Sequence, residues 1–211
     1  MSSREEMSSR EEILSRLRHN TRQTFDMPDL AALTPITFDD PVAEFIHKTT
    51  TMAGATLVEM QPTDSLDDLI RSAYPEARSV ASNLPGVRAD VNPDTVAEAQ
   101  ELMHVDVGVV QGCIGVAENA CIWIPQQTKE KAVCFAVQQL VILLPRDAIV
   151  SNMHQAYARI DATPDYFSRY KFGTFISGPS KTADIESALV YGAQAARAVT
   201  VILTPPESAL T

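Results

Sequence analysis

The chain is predicted to be an α/β protein with a mixed, mostly parallel sheet and an additional N-terminal helix. Three observations predict this class. Strand-like and helix-like stretches alternate between Ala55 and Ser82; Leu140 to Leu144 is a continuous apolar run stopped by Pro145; and three β-like runs crowd into Asp106 to Ile124. Alternation of strand and helix argues for parallel strands covered by helices. A short run of uninterrupted apolar residues implies a strand buried on both faces. Runs only a few residues apart imply hairpins, which makes the sheet mixed.

The elements follow in chain order. Met1–Glu6 is repeated as Met7–Glu12; the first copy reads as a duplicated start and is set aside from the fold. Ser9 to Arg22 carries a narrow stripe of Ile13, Leu14 and Leu17 in a charged background, the pattern of a peripheral helix. Thr24 to Asp40, with Pro28 and Pro35 and no periodicity, connects it to the next element. Pro41 to Met52 is expected to be helical, with Pro41 in the first turn and Gly54 just past the end. Ala55 to Met60 is a strand, Asp64 to Tyr74 a helix with Leu66, Leu69 and Ile70 on one face, and Arg78 to Ser82 a strand. Pro93 to Leu102 is a short helix. Asp106 to Gln111, Ile114 to Ala117 and Ala120 to Ile124 are the hairpin strands. Gln139 to Leu144 is the buried strand, Asp147 to Ile160 a helix, Asp161 to Arg169 a polar loop, Phe172 to Ile176 a strand, Ala183 to Ala196 a helix and Ala198 to Leu203 the closing strand. The expected organisation is a helix and connecting segment over 1–40, with 1–6 the duplicated start, followed by one domain over 41–211.

Composition narrows the partners. With 17 Lys and Arg against 27 Asp and Glu, the chain of 211 residues carries a net charge of -10. Such a surface repels phosphate backbones and anionic lipids, so neither nucleic acid nor a membrane surface is expected as partner, although a local basic pocket is compatible with it. The longest apolar run falls far short of the roughly 20 residues of a membrane span, and a cytoplasmic location is expected. Cys113, Cys121 and Cys134 form no C-x-x-C pair, and His19, His47, His104 and His154 lack metal-ligand spacing. No metal or redox cofactor is therefore expected in this chain. The thiols read as buried small hydrophobes, with Cys113, next to Gly112 and near Glu118, the one that could line a site.

One segment has the layout of a binding loop. Phe175-Ile176 runs into Ser177-Gly178-Pro179-Ser180-Lys181-Thr182 and then into the expected helix. Ligands in open α/β sheets gather where such strand-to-helix loops present backbone N–H groups. Gly178 permits close approach or positive φ, Ser177, Ser180 and Thr182 offer hydroxyls, and Lys181 offers a point charge for a carboxylate or phosphate. Spacing supports equally a plain helix start, with Thr182 as N-cap and Asp184 and Glu186 balancing the helix dipole.

The contiguous stretch Ile176-Ser177-Gly178-Pro179-Ser180-Lys181-Thr182-Ala183-Asp184-Ile185-Glu186 resembles the C-terminal signature of the lactate-utilisation (LUD) domain family, in its LutC/YkgG branch. The starts at Ser9–Leu14, Gly115-Val116-Ala117-Glu118 and Leu140–Leu144 resemble the family at comparable places. The resemblance implies a three-layer α/β/α sandwich like the NagB/RpiA/CoA-transferase group. It also implies an accessory or subunit role in oxidising L-lactate to pyruvate, with the iron–sulfur clusters held by partner proteins, and a small carboxylate or phosphate-bearing ligand. An oligomer is compatible with it. Two departures stand out: Gln194-Ala195-Ala196 replaces a His-Gly-Pro-like stretch, and Asn119-Ala120 replaces Thr-Gly.

Glu118 is the candidate catalytic residue. It sits in a turn between two apolar runs, and Ala117-Glu118-Asn119-Ala120 resembles the Glu-Asn-Gly segment that carries the nucleophilic carboxylate of CoA transferases. A carboxylate can attack an acyl centre to form a covalent intermediate, so a CoA or acyl transferase is the enzymatic alternative. A small-anion-binding module without catalysis is the other.

Overall fold

The computed structural model describes residues 8–21, 23, 25–29, 32–164, 170, 172–184 and 188–206. The chain divides into two units, Met1–Thr34 and Pro35–Thr211. In the first, helix α1 (Ser9–Asn20) opens with a capping box, in which the Ser8 side chain accepts from the Glu11 N–H and the Glu11 carboxylate accepts from the Ser8 N–H. Those hydrogen bonds hold the Glu11 carboxyl below its ordinary value. None of the helix is buried.

The second unit is built on strand β6 (Gln139–Pro145), whose alternate residues point to opposite faces. Leu140, Ile142 and Leu144 join one apolar cluster, whereas Val141 and Leu143 join another. Around it stand β1 (Thr56–Glu59), β2 (Val80–Ala81), β3 (Val107–Gln111) and β11 (Ala198–Thr204) in the order β1-β11-β6-β3-β2, every neighbour parallel. The uninterrupted apolar run is thus the middle strand of a sheet covered on both sides.

Helix α3 (Leu66–Ala73) covers one face through Leu66, Leu69 and Ile70, packed with Val107, Val109 and Ile202. The other face receives helix α2 (Pro41–Lys48) and a second sheet. That sheet has the order β7-β4-β5-β8, from β4 (Ile114–Val116), β5 (Cys121–Pro125), β7 (Ile149–Val150) and β8 (Gly173–Ile176). β4 and β5 form the expected hairpin, β8 pairs antiparallel with β5, and β7 pairs parallel with β4. Ile122 and Ile124 turn inward to the main core, while Ile114, Val116 and Cys121 turn outward to helix α4 (Met153–Ala162). The α/β class and the mostly parallel pairing hold, and the antiparallel pairs all fall outside the parallel sheet.

Four local expectations are corrected. β3 and β4 form no hairpin, because the Gly112 N–H donates to Leu143 O of the parallel sheet at 2.8 Å and the next N–H, of Cys113, donates to Trp123 O of the second sheet at 2.8 Å. A Cβ on Gly112 would stand 2.4 Å from Ile122 Cγ2, so the chain can cross here only as glycine without displacing the core. Asp147 to Val150 is a short 3₁₀ turn and strand β7 rather than helix; α4 begins after Asn152, whose side chain accepts from the Gln155 N–H, and continues through Asp161 and Ala162. Thr163 caps the end of α4, and residues 165–169 of the expected polar loop lie outside the described residues. The Pro93–Leu102 helix is replaced by a 3₁₀ segment at Ala99–His104.

The fourth correction concerns the segment after Thr182. Instead of a helix over Ala183–Ala196, β9 (Lys181–Thr182) pairs antiparallel with β10 (Val190–Tyr191), and the chain then bends through Gly192 at φ +81. The Gly192 N–H donates to Ser180 O and the Ser180 N–H to Ala196 O. These pairings override the local helix preference of an alanine-rich run. Residues 185–187 lie outside the described residues.

Candidate functional site

The expected binding loop is built around the end of α2. Asp40 caps the start of this helix by accepting from the Ala43 N–H, and a wider π-type turn at Thr49–Ala53 ends it. Gly54, at φ +73, then reverses the chain into β1. A helix end leaves carbonyls without partners. Here Lys181 Nζ donates to Ala53 O at 2.6 Å and lies 3.4 Å from Met52 O. A cation at a helix C-terminus also complements the dipole.

Gly178 lies at φ +68, and a Cβ there would come within 2.2 Å of Ala53 O. Glycine is required at this contact for both conformation and space. On the other side of the loop, Ser177 Oγ donates to Asn119 O at 2.8 Å. Lys48, paired with Glu44 at 3.1 Å, donates to Glu118 O at 3.2 Å. The Ser177 loop, the Glu118 turn and the end of α2 therefore form one interlocked junction.

Within this junction the candidate residues have different surroundings. The Glu118 carboxylate accepts from the Met153 N–H at 2.8 Å, at the start of α4. Ser177, Gly178 and Ser180 line a cleft of about 270 Å³, opposite Gln194 and Ala196, with Leu140 and Val199 at its base. Lys181 turns to Ala53, and Thr182 pairs with Val190. Because Leu140 and Val199 start their strands, the cleft lies at the amino ends of β6 and β11 and at the carboxyl end of β8. The physical reason is that β8, which feeds the loop, belongs to the second sheet.

Two participants were not singled out as site residues from sequence. Gln194 lines this cleft and an adjoining one of about 550 Å³, and Arg197 brings a guanidinium to the latter. The one available signal was the departure at Gln194-Ala195-Ala196. Chemically, the smaller cleft offers hydroxyl and amide groups suited to orienting a small carboxylate.

Ala120 occupies the left-handed region at φ 54. It takes the conformation for which glycine is favoured, so the turn is compatible with alanine at the departure from the family pattern. Glu118→Gln keeps an acceptor for the Met153 N–H and is expected to leave stability almost unchanged. Glu118→Ala leaves that donor unpaired and is expected to cost about 1–2 kcal/mol, measurable by urea denaturation.

Cys113 is exposed, whereas Cys121 and Cys134 are buried. Burial pushes both buried thiols from 9.0 up to about 12. They stay protonated in the folded chain but lose protons more readily when unfolded. Their stabilising contribution is full below about pH 9 and declines as pH rises toward 12. At pH 8 a chromogenic disulfide reagent is expected to label Cys113 alone, and all three cysteines after denaturation.

Among the described residues no group of three His, Cys, Asp or Glu side chains could hold a metal ion, and no helix is long and apolar enough to cross a membrane. A family model described as LUD domain matches residues 43–204. Lactate utilization protein C of Shouchella clausii (strain KSM-K16) is 28% identical over 109 residues, covering 51% of this chain and 48% of that protein. The match thus spans about half the length of that curated relative. The crystal structure of a DUF162 family protein from Deinococcus radiodurans matches with a TM-score of 0.61 at 15% identity, over 81% of this chain and 99% of that one. At that identity the likeness concerns the fold.

Proposed function

The chain belongs to the LUD domain family and is LutC-like, and on that premise we propose that it serves lactate utilisation as an accessory protein or subunit in the oxidation of L-lactate to pyruvate. The observation that carries the reading is the match to the relative named Lactate utilization protein C. The cleft between the Ser177 loop and Gln194 takes a small carboxylate, oriented by Ser180 and the Gln194 amide, with Lys181 holding the loop in place rather than touching the ligand. Electrons pass to iron–sulfur clusters in partner proteins. Affinity purification from lactate-grown cells is expected to recover proteins with bound iron and acid-labile sulfide; recovery of none would remove the partner assignment.

Acyl transfer by Glu118 is a second reading, supported by the contact of Ser177 with the same turn. It predicts that Glu118→Gln abolishes CoA-dependent turnover while leaving stability intact. The engagement of the carboxylate with the start of α4 weighs against it, since a nucleophile must face its substrate.

A further inference from the structure

Across the parallel sheet from the Ser177 cleft, on the face covered by α3, lies a pocket of about 120 Å³ whose rim carries Arg71, Arg78 and Arg88. Ile70, Tyr74, Ala77 and Val80 line the pocket and Asp90 completes the rim. Three arginines and one aspartate leave a net positive lining in a chain of net charge -10. We propose that this pocket is a phosphate site, in which the three guanidinium groups hold one phosphate dianion, free or as the terminal group of a small organic phosphate.

The use made of the neighbouring acids carries the assignment. Asp106 Oδ2 accepts from the Arg78 N–H at 2.8 Å and the Ser79 N–H at 3.1 Å. Asp67 Oδ1 accepts from the Arg88 N–H at 2.9 Å. Asp90 Oδ2 accepts from the Val80 N–H at 2.9 Å. The acids thus fix the backbone from which Arg78 and Arg88 project, while Arg71 projects from the last turn of α3. Among the described residues no hydrogen bond or ion pair engages any of the three guanidinium groups. Asp90 in the lining and Asp106, whose charge interacts with that of Arg78, offset only part of the three positive charges, and an anion balances the remainder. A cation near the end of α3 accounts for Arg71 alone, not for Arg78 and Arg88 in the same lining.

The lining suits the ligand. The pocket, about 120 Å³, has room for one tetrahedral group. Ile70 is buried and Tyr74 and Val80 partly buried, whereas Arg71, Arg78 and Arg88 are exposed and within reach of a ligand from solvent. Arginine supplies paired N–H donors that match phosphate oxygens, and three of them suit a dianion better than a monoanion.

The test is isothermal titration of the intact chain with inorganic phosphate, and in parallel with glycerol 3-phosphate, at ionic strength matched with chloride. Saturable binding with one site per chain is expected, with affinity reduced about tenfold in each of Arg71→Gln, Arg78→Gln and Arg88→Gln. Arg146→Gln, outside the pocket, is expected to bind as the parent does. Arg→Lys variants, which retain charge but lose the planar fork, should also weaken binding and serve where a glutamine variant fails to fold. Tighter binding of the monoester than of phosphate identifies an organic phosphate as the ligand, and equal binding identifies the free ion. No saturation by either compound, saturation only by polyglutamate, or a triple variant that binds like the parent would overturn the site. L-lactate binding at the Ser177 cleft is expected to be unchanged by these substitutions, which separates failure here from failure of the lactate reading.

Discussion

Gly178→Ala is expected to lower the melting temperature by about 10 °C. A non-glycine residue held in the left-handed region costs roughly 1–2 kcal/mol. The added Cβ would also meet Ala53 O at 2.2 Å and Ala53 C at 2.9 Å, both backbone atoms that cannot rotate away. Relieving that overlap by moving the loop costs about 1–3 kcal/mol and pulls Lys181 from the Ala53 carbonyl. The sum is about 3 kcal/mol, and a unit of this size loses roughly 2–4 °C per kcal/mol. Scanning calorimetry measures it directly, and a change under about 2 °C would mean that the loop is not seated on α2 as described.

Phe45→Ala is expected to cost about 3–5 kcal/mol, the range for removing a buried aromatic side chain. Phe45 is fully buried in the cluster that joins α2 to both sheets. Its ring lies against Gly115 of β4, where a Cβ would stand 3.4 Å from Phe45 Cε2. The closely packed site has little freedom to collapse, and the loss of contacts on both sheets compounds the lost transfer free energy. With typical domain stabilities of about 5–15 kcal/mol, one such substitution removes a large part of the total. Denaturation should show a lower midpoint with an unchanged slope; a shift equivalent to less than about 1 kcal/mol would contradict the placement of α2.

The parts of the fold visible in the sequence are those where local pattern and tertiary packing agree. Leu140–Leu144 reads as a doubly buried strand because both of its faces are covered, and the α2 boundaries are signalled by Pro41 and Gly54. The passage between sheets at Gly112-Cys113 was hidden, because two residues between apolar runs look alike whether the runs pair with each other or with different neighbours. Only the opposed destinations of two successive N–H groups distinguish the cases. The expected helix after Thr182 misled for the converse reason: Ala-rich composition favours helix locally, whereas the bonds of Ser180 to Ala196 and Gly192 prescribe a bend.

The Ser177 loop was legible as an important segment, but the duties of its residues were not. A glycine needed for close approach to a ligand and one needed for close approach to Ala53 carry the same sequence signal. Lys181 likewise has the charge to bind an anion, yet its amine closes the end of a helix from more than a hundred residues earlier in the chain. Glu118 presented the same ambiguity: its carboxylate accepts from the Met153 N–H at the start of α4, a contact that the sequence does not signal. Gln194 was hidden because its position on the cleft wall depends on the hairpin that replaces the expected helix.

The most direct measurement is growth of the native host on L-lactate as sole carbon source after deletion of the gene, with complementation by the parent and by Gln194→Trp, which places a bulky ring on the exposed wall of the cleft. The account predicts that deletion abolishes growth on lactate but not on glucose, that the parent gene restores it, and that the stably folded Gln194→Trp chain does not. Undiminished growth of the deletion strain on lactate would contradict the lactate-utilisation assignment, and full rescue by Gln194→Trp would contradict the cleft as its site.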